Sequence, residues 1–458
     1  MKKLASILKN KEIMNRIMFT VLILFIFRIG AQIKVPGVTV NPDIDSYLSQ
    51  NNALSMMNLI GGGTLQSFSI FALGVSPYIT AQIIVQLLST DVLPAFTELK
   101  RQGQYGRKKI EMATRYLTLL LGAVQAYGMI KTMENQMMDN GSPLITLMDG
   151  NTTVLYIYIV VVMLAGTMLV MWLGDQISVK GIGNGISMII FAGIVSGFPT
   201  KIYQAFGKWV LTPMGMGESA QITGVFQFVL YLISFLLIIA FVTFIELSQR
   251  KIPVQHSGKS GGQTQSMAKA SFLPIKINSA GVIPVIFASS LLMVPQVITA
   301  FVDSSSSTAS WLDIFSISKW CQLGDSGVYM PWGLLIYIVL IIAFSYFYAN
   351  LQINPEQIAE NFQKNGSYIP GIRPGNETER YVRKVLNRVT FLGATALTLI
   401  AALPPILTLS GAFGNDSSLA LGGTGLIIVV GVALELNNQI DGLLAGKSFD
   451  EVVASGGR

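Results

Sequence analysis

Charge is scarce in this sequence. Only 12% of its 458 residues are Asp, Glu, Lys or Arg, about half of the roughly 25% usual in soluble domains. With 51% hydrophobic residues, that scarcity excludes both an ordinary cytosolic enzyme and a disordered chain. A single cysteine, Cys321, excludes an internal disulfide and a thiolate metal cluster. A single histidine, His256, excludes a histidine-rich metal site. The glycine-rich run Lys180-Gly181-Ile182-Gly183-Asn184-Gly185 lacks the Gly-Lys-Ser/Thr ending and strand context of a phosphate loop. It reads as a tight turn entering a helix.

What the sequence has is apolar runs of membrane-spanning length, about 20 residues each. Five fall near Met14–Gln32, Val75–Ser89, Ala113–Ile130, Thr153–Leu173 and Gly185–Gln204. Five more fall near Gly224–Glu246, Ala280–Phe301, Met330–Ala349, Thr390–Ser410 and Leu421–Ile440. Ten spans put both termini on one side. With the N-terminus in the cytoplasm, 24 Lys and Arg residues lie in cytoplasmic segments and 5 in external ones. That asymmetry is the positive-inside rule, so both termini are expected in the cytoplasm. The first span is long and lacks a small-residue cleavage pattern, so it is not read as a signal peptide.

The two largest cytoplasmic loops, Leu247–Ser279 and Asn350–Val389, are basic. They read either as topology signals or as a docking surface for something large, ribosomal RNA included. Ion-coupled transport needs ionisable groups facing a midplane cavity. The nearest candidates are Arg28, Asp175 and Glu246 near span ends, where snorkelling is cheap, and Glu435 in a cytoplasmic half-span. No midplane carboxylate pair, proton relay or paired protease aspartates stand out. A substrate-driven uniporter survives that test.

One helix is broken instead. Leu59-Ile60-Gly61-Gly62-Gly63 precedes an apolar stretch, Phe68–Leu73, then Gly74, Val75, Ser76 and Pro77. Non-helical backbone at membrane depth is tolerated only inside protein or along a wet cavity. The segment reads as a re-entrant element, or else as a long external loop.

Phe68–Ile79 (FSIFALGVSPYI) resembles the signature of the SecY family of bacterial protein-conducting channels. So do Lys180–Val195, Leu273–Asn278 running into Ala280–Ser290, the turn Tyr368–Gly375 (YIPGIRPG) and Gly422-Gly423-Thr424. The five motifs come in the family's order, and the resemblance covers nearly the whole chain. It implies an all-α polytopic fold of ten helices in two inverted-repeat halves of five. The halves would be residues 1–205 and 206–458, hinged between the fifth and sixth spans around an hourglass pore. A lateral gate would open between spans two and three on one side and seven and eight on the other.

Carried over residue by residue, the resemblance puts the pore ring at Val75, Ile79, Ile186, Ile190, Ile286 and Ile428. Taken singly, each is ordinary helix packing. Val75 with Ile79, and Ile186 with Ile190, are i, i+4 pairs on one helix face. The plug aligns with residues 53–66, including Leu59, Ile60, Gly61, Gly62 and Gly63. Gln86 and Asn184 match polar gate positions. Arg373 matches a residue that couples to the motor or ribosome, and Arg250, Lys251 and Lys259 are the further contact candidates. The chain departs from the family where His256–Gly262 is glycine- and serine-rich rather than basic. The implied function is the central channel of general secretion in a bacterial plasma membrane, not an enzyme and without cofactor or metal. It would pass unfolded preproteins and release apolar segments sideways into the lipid bilayer. Implied partners are SecE-type and SecG-type membrane subunits, a SecA-type motor ATPase and the ribosome. An accessory channel for a few substrates and a small-solute transporter are the alternatives.

Overall fold

The computed structural model describes residues 10–41, 44, 58, 61–89, 96, 98–99, 102–135, 143–148, 152–211, 218–256, 271–299, 314–315, 317, 321–322, 329–409 and 423–456. Ten helices coincide with the ten expected spans. They are α1 (Lys11–Gly30), α2 (Ser76–Leu88), α3 (Gln104–Asn135), α4 (Thr152–Lys180) and α5 (Gly185–Phe206). Next come α6 (Glu218–Leu247), α7 (Ile283–Thr299) and α8 (Trp332–Gln352). A short amphipathic helix, α9 (Pro355–Lys364), intervenes before α10 (Asn376–Leu409) and α11 (Gly423–Gly456). Among the described residues, seven helices are long and apolar enough to cross a membrane by themselves.

The exceptions are informative. Helix α2 has 13 residues, about 20 Å at 1.5 Å per residue, against a hydrocarbon core of roughly 30 Å. The missing depth is filled by the turn-rich segment 61–75, in which Leu65, Phe68, Phe71 and Leu73 are fully buried. Pro77 sits in the first turn of α2, where its missing N–H costs nothing. Helix α3 runs 32 residues and starts well before the expected Ala113. Its basic first turns, Arg107 to Lys109, carry the helix out of the apolar zone.

The two large basic loops are also more structured than expected. Within Leu247–Ser279, β3 (Gln249–His256) and β4 (Ser271–Lys276) form an antiparallel hairpin. From the other loop, β7 (Ser367–Tyr368) pairs with the end of β3 through Gln255↔Tyr368 and His256↔Ser367. Much of Asn350–Val389 is helical, in α9 and the early turns of α10. The two loops are therefore one platform. Its core holds Ile252, Ile275, Ile369, Val382 and Leu386. The opposite side carries a smaller sheet, β1 (Val38–Val40) with β2 (Ile145–Leu147). A two-residue ladder, β5 (Cys321–Gln322) with β6 (Tyr329–Met330), precedes α8.

Three further clusters organise the helices. One lies among α6, α7, α8, α10 and α11, centred on Tyr337, Ile341 and Ala401. One lies between α3, α4 and the segment following α1, around Leu65, Phe68, Ile130 and Met163. The third, at the centre, joins α1, α2, α4 and α5 to α7 and α11. Large apolar side chains on the outer faces, such as Phe25, Phe226, Leu236 and Phe244, stay exposed. In water they would be a liability; against lipid tails they are the expected surface.

Candidate functional site

The six aliphatic residues singled out above meet in the central cluster. Val75, Ile79, Ile190, Ile286 and Ile428 are at most 8% exposed, and the half-buried Ile186 packs against them. They come from four helix beginnings. Val75 caps α2, and its carbonyl accepts from the Ile79 N–H at 3.0 Å. Ile186 and Ile190 lie in the first two turns of α5, Ile286 in the first turn of α7, and Ile428 in the second turn of α11. Their meeting depends on the breaks in the chain. Each of these helices starts at a glycine- or proline-bearing turn, which lets its first turns point inward at the middle of the bundle.

Two glycine contacts make this convergence possible. At Gly62, with φ at +79°, an added Cβ would lie 2.7 Å from the Gly193 Cα of α5. Only glycine fits both that conformation and that approach. Gly183, at φ +90°, turns the chain into α5, and its N–H donates to Gln439 Oε1 of α11 at 2.8 Å. Asn184 next to it is exposed, and its Oδ1 accepts from Ile186 N–H at 3.2 Å. Its side-chain oxygen is the N-cap of α5. Gln86, half-buried on α2, is hydrogen-bonded to the Tyr348 hydroxyl of α8. Phe287 of α7 stands edge-on to Tyr348 and to Phe344, with centroids 6.1 and 5.8 Å apart. The Gln86–Tyr348 hydrogen bond thus crosses the seam between α2 and α8, and aromatic rings fill its α7–α8 side.

Of the expected plug, Gly61, Gly62 and Gly63 are described; Leu59 and Ile60 lie outside the described residues. Arg28, read from the sequence as a snorkelling span-end residue, instead donates from Nη1 to the Gly62 carbonyl at 2.9 Å. The other two charged span-end groups are likewise partnered. Asp175 pairs with Arg115 at 2.7 Å. Glu246 accepts from Asn278 Nδ2 at 2.6 Å. The signal in the sequence was the charge itself, because an ionisable group within a span needs a partner.

On the platform built from the two basic loops, Arg250, Lys251 and Arg373 are exposed. Lys259 lies outside the described residues. The Lys251 ammonium sits 4.9 Å from the Phe272 ring centroid across the hairpin. The turn bearing Arg373 is closed by Ile372 N–H donating to Ile369 O at 3.0 Å and by Thr378 Oγ1 donating to Arg373 O at 2.9 Å. Ile369 buries itself against Ile252 and Ile275 of the hairpin. The sequence offered no contact between these loops, yet a strand signal was present. Ile252 and Val254 alternate with exposed Pro253 and Gln255, and glycines at 258, 261 and 262 follow. Among the described residues, no group of three His, Cys, Asp or Glu side chains gathers to hold a metal.

The family model for SecY matches residues 69–437. Among curated relatives, the protein translocase subunit SecY of Bacillus subtilis is 41% identical over 98% of this chain and 98% of its own length. That of Mycoplasma capricolum is 40% identical over 98% of this chain and 91% of its own length. A solved structure described as a protein conducting channel superposes with a TM-score of 0.64 at 18% identity, covering 94% of this chain and 92% of that one. Its likeness adds the fold, an all-α polytopic membrane architecture. With the motifs in order, the central aliphatic cluster in place and the match spanning most of its length, the chain belongs to the SecY family.

Proposed function

We propose that this chain is the channel-forming subunit of a protein translocase in a bacterial plasma membrane. It passes unfolded preproteins outward and releases apolar segments sideways into lipid. The single observation that carries the reading is the dry aliphatic cluster joining the two expected halves of the chain. Such a constriction gates by dewetting: a small ion must shed water to pass and gains nothing in return. An extended polypeptide brings its own apolar groups, and the same ring can close around it. Val75, Ile79, Ile186, Ile190, Ile286 and Ile428 form the ring in this reading. The relatives named protein translocase subunit SecY support it.

Residues 53–66, with Leu59, Ile60 and the glycines at 61–63, are the plug. In a structure with a TM-score of 0.64, the plug domain is described as stabilising the closed state and maintaining a membrane seal. The halves divide at residues 205 and 206, in the last turn of α5. The seam of Gln86, Tyr348 and Phe287 belongs to the lateral gate. Movement is driven from the cytoplasm, where Arg250, Lys251, Lys259 and Arg373 meet a SecA-type ATPase or the ribosome. A SecE-type subunit braces the halves, and a SecG-type subunit is the second membrane partner. Ribosome-bound relatives of the same fold are known, among them a Sec61 channel on a canine ribosome with a TM-score of 0.63.

The experiment places a photoreactive amino acid at Ile286 and stalls a secretory chain midway through export. A crosslink that requires the signal sequence and the motor or ribosome is the expected result. Robust export without a crosslink from Ile286 removes the ring assignment. No chain engagement from any of the six positions removes the channel reading and leaves the solute transporter.

A further inference from the structure

The segment between α1 and α2 is held in two different ways. Its second part is tied down by backbone pairing. Val35 N–H donates to Phe68 O at 3.0 Å, Ile70 N–H donates to Ile33 O at 3.0 Å, and Lys34 and Ser69 form an antiparallel bridge. The Phe71 ring stacks on Phe27, with centroids 5.7 Å apart and planes within 8°. Its first part, around Gly62, has no such ladder among the described residues and is held by side chains, with Thr64 Oγ1 donating to Phe71 O at 2.9 Å and Ser67 Oγ donating to Ala31 O at 3.1 Å. Gly62 lies against the bare Gly193 backbone, and its carbonyl accepts from Arg28. Between the two parts Phe68 adopts φ +43°, a left-handed conformation that an aromatic residue rarely takes.

We infer that Arg28 is a positioning residue that latches the plug shut through the Gly62 carbonyl, while residues 68–73 stay behind as the fixed root on which the plug swings. The inference rests on the channel reading above. The sign follows from what each state offers the guanidinium. With the plug seated, Arg28 has a carbonyl at 2.9 Å in a partly buried place, and no carboxylate among the described residues is recorded as its salt-bridge partner. A charge-assisted bond there is worth more than a neutral one. With the plug gone and water in the mouth of the pore, Arg28 is solvated and the bond is lost. Removing the guanidinium therefore takes stabilisation from the closed state alone and leaves a buried carbonyl without its donor. The rooted stretch is indifferent to that loss, because its bonds are between backbones.

The test uses the complete membrane complex with Thr64→Cys in channels whose native thiol is removed by Cys321→Ser. Thr64 is 1% exposed beside the glycines, so its thiol reports plug displacement. Two quantities are read: resting ion conductance across a bilayer, and labelling by an impermeant maleimide added from outside. Arg28→Met is expected to raise both by roughly tenfold, the factor matching loss of one charged hydrogen bond at its lower bound. Arg28→Lys, which keeps charge but loses the planar fork, falls between. Arg16→Met, on the cytoplasmic end of the same helix, changes neither. An assembled Arg28→Met channel with parental conductance and labelling overturns the latch, as does a leak that rises without labelling. If Arg28→Met does not assemble, Arg28→Lys and Arg28→Gln decide, and parental values in both overturn it. A parent complex that shows no signal-dependent export refutes the channel reading instead, so the two failures are told apart.

Discussion

The central cluster and the basic-loop platform are built on opposite principles. At the centre, side chains from α2, α5, α7 and α11 touch through apolar contacts, mostly aliphatic. Such contacts are non-directional, and each pair of atoms contributes little. On the platform, the β3–β4 hairpin and β7 are joined by backbone hydrogen bonds, and α9 is capped by Asn354, whose Oδ1 accepts from Glu356 N–H at 3.0 Å. Directional bonds hold a geometry, whereas apolar contacts close a space and let it reopen. The difference matches what each place is for in the proposed reading: a surface that must present Arg373 and Lys251 unchanged, and a seal that must part.

Five substitutions break or sharpen that contrast. Leu386 is fully buried in the platform core. Leu386→Ala should cost about 2–5 kcal/mol, seen as protease cleavage of the cytoplasmic loops at lower denaturant while the spans stay intact. Ile286 is 8% and Ile428 3% exposed in the central cluster. Ile286→Asn and Ile428→Asn should weaken closure by about 1–3 kcal/mol, the cost of burying an amide without a partner. The readouts are a raised resting leak and export of precursors with defective signals; parental values in both variants would remove the seal from this cluster. Asn354→Ala should loosen α9 by about 1 kcal/mol, measured as faster amide exchange in its first turn. Smallest is Arg383→Ala, which breaks an i, i+4 pair with Glu379 at 2.6 Å on a largely exposed helix face. A change of about 0.5 kcal/mol or less is expected there in thermal unfolding, and a larger loss would mean that platform geometry depends on charge after all.

Much of this was legible in advance because the bilayer restricts what a chain can do. The ten spans follow from run length, and the expected orientation follows from where Lys and Arg fall. The break before Ser76 was visible because glycine and proline interrupt an apolar run. Other features were not legible. The strand pair Gln255↔Tyr368 joins residues more than a hundred positions apart, and single-sequence periodicity carries no information about which strand meets which. The early start of α10 at Asn376 was hidden because its polar turns read as loop. Arg28 was misjudged for a related reason: a charge near a span end has a cheap local solution, so nothing local requires the distant one. Asn184, a gate position by resemblance, also caps α5 through its Oδ1, a local bond that its place before a helix makes readable.

The sequence by itself determined that this chain lives in a membrane, how many times it crosses and where the crossing is broken. Those are sums over local composition, and the solvent sets the terms. The tertiary structure decided which of many aliphatic residues face one another, and that the carbonyl of Gly62 rests on Arg28. An isoleucine looks the same to the sequence whether it meets lipid, another helix or a closed pore. Only the packing of helix against helix gives it an identity.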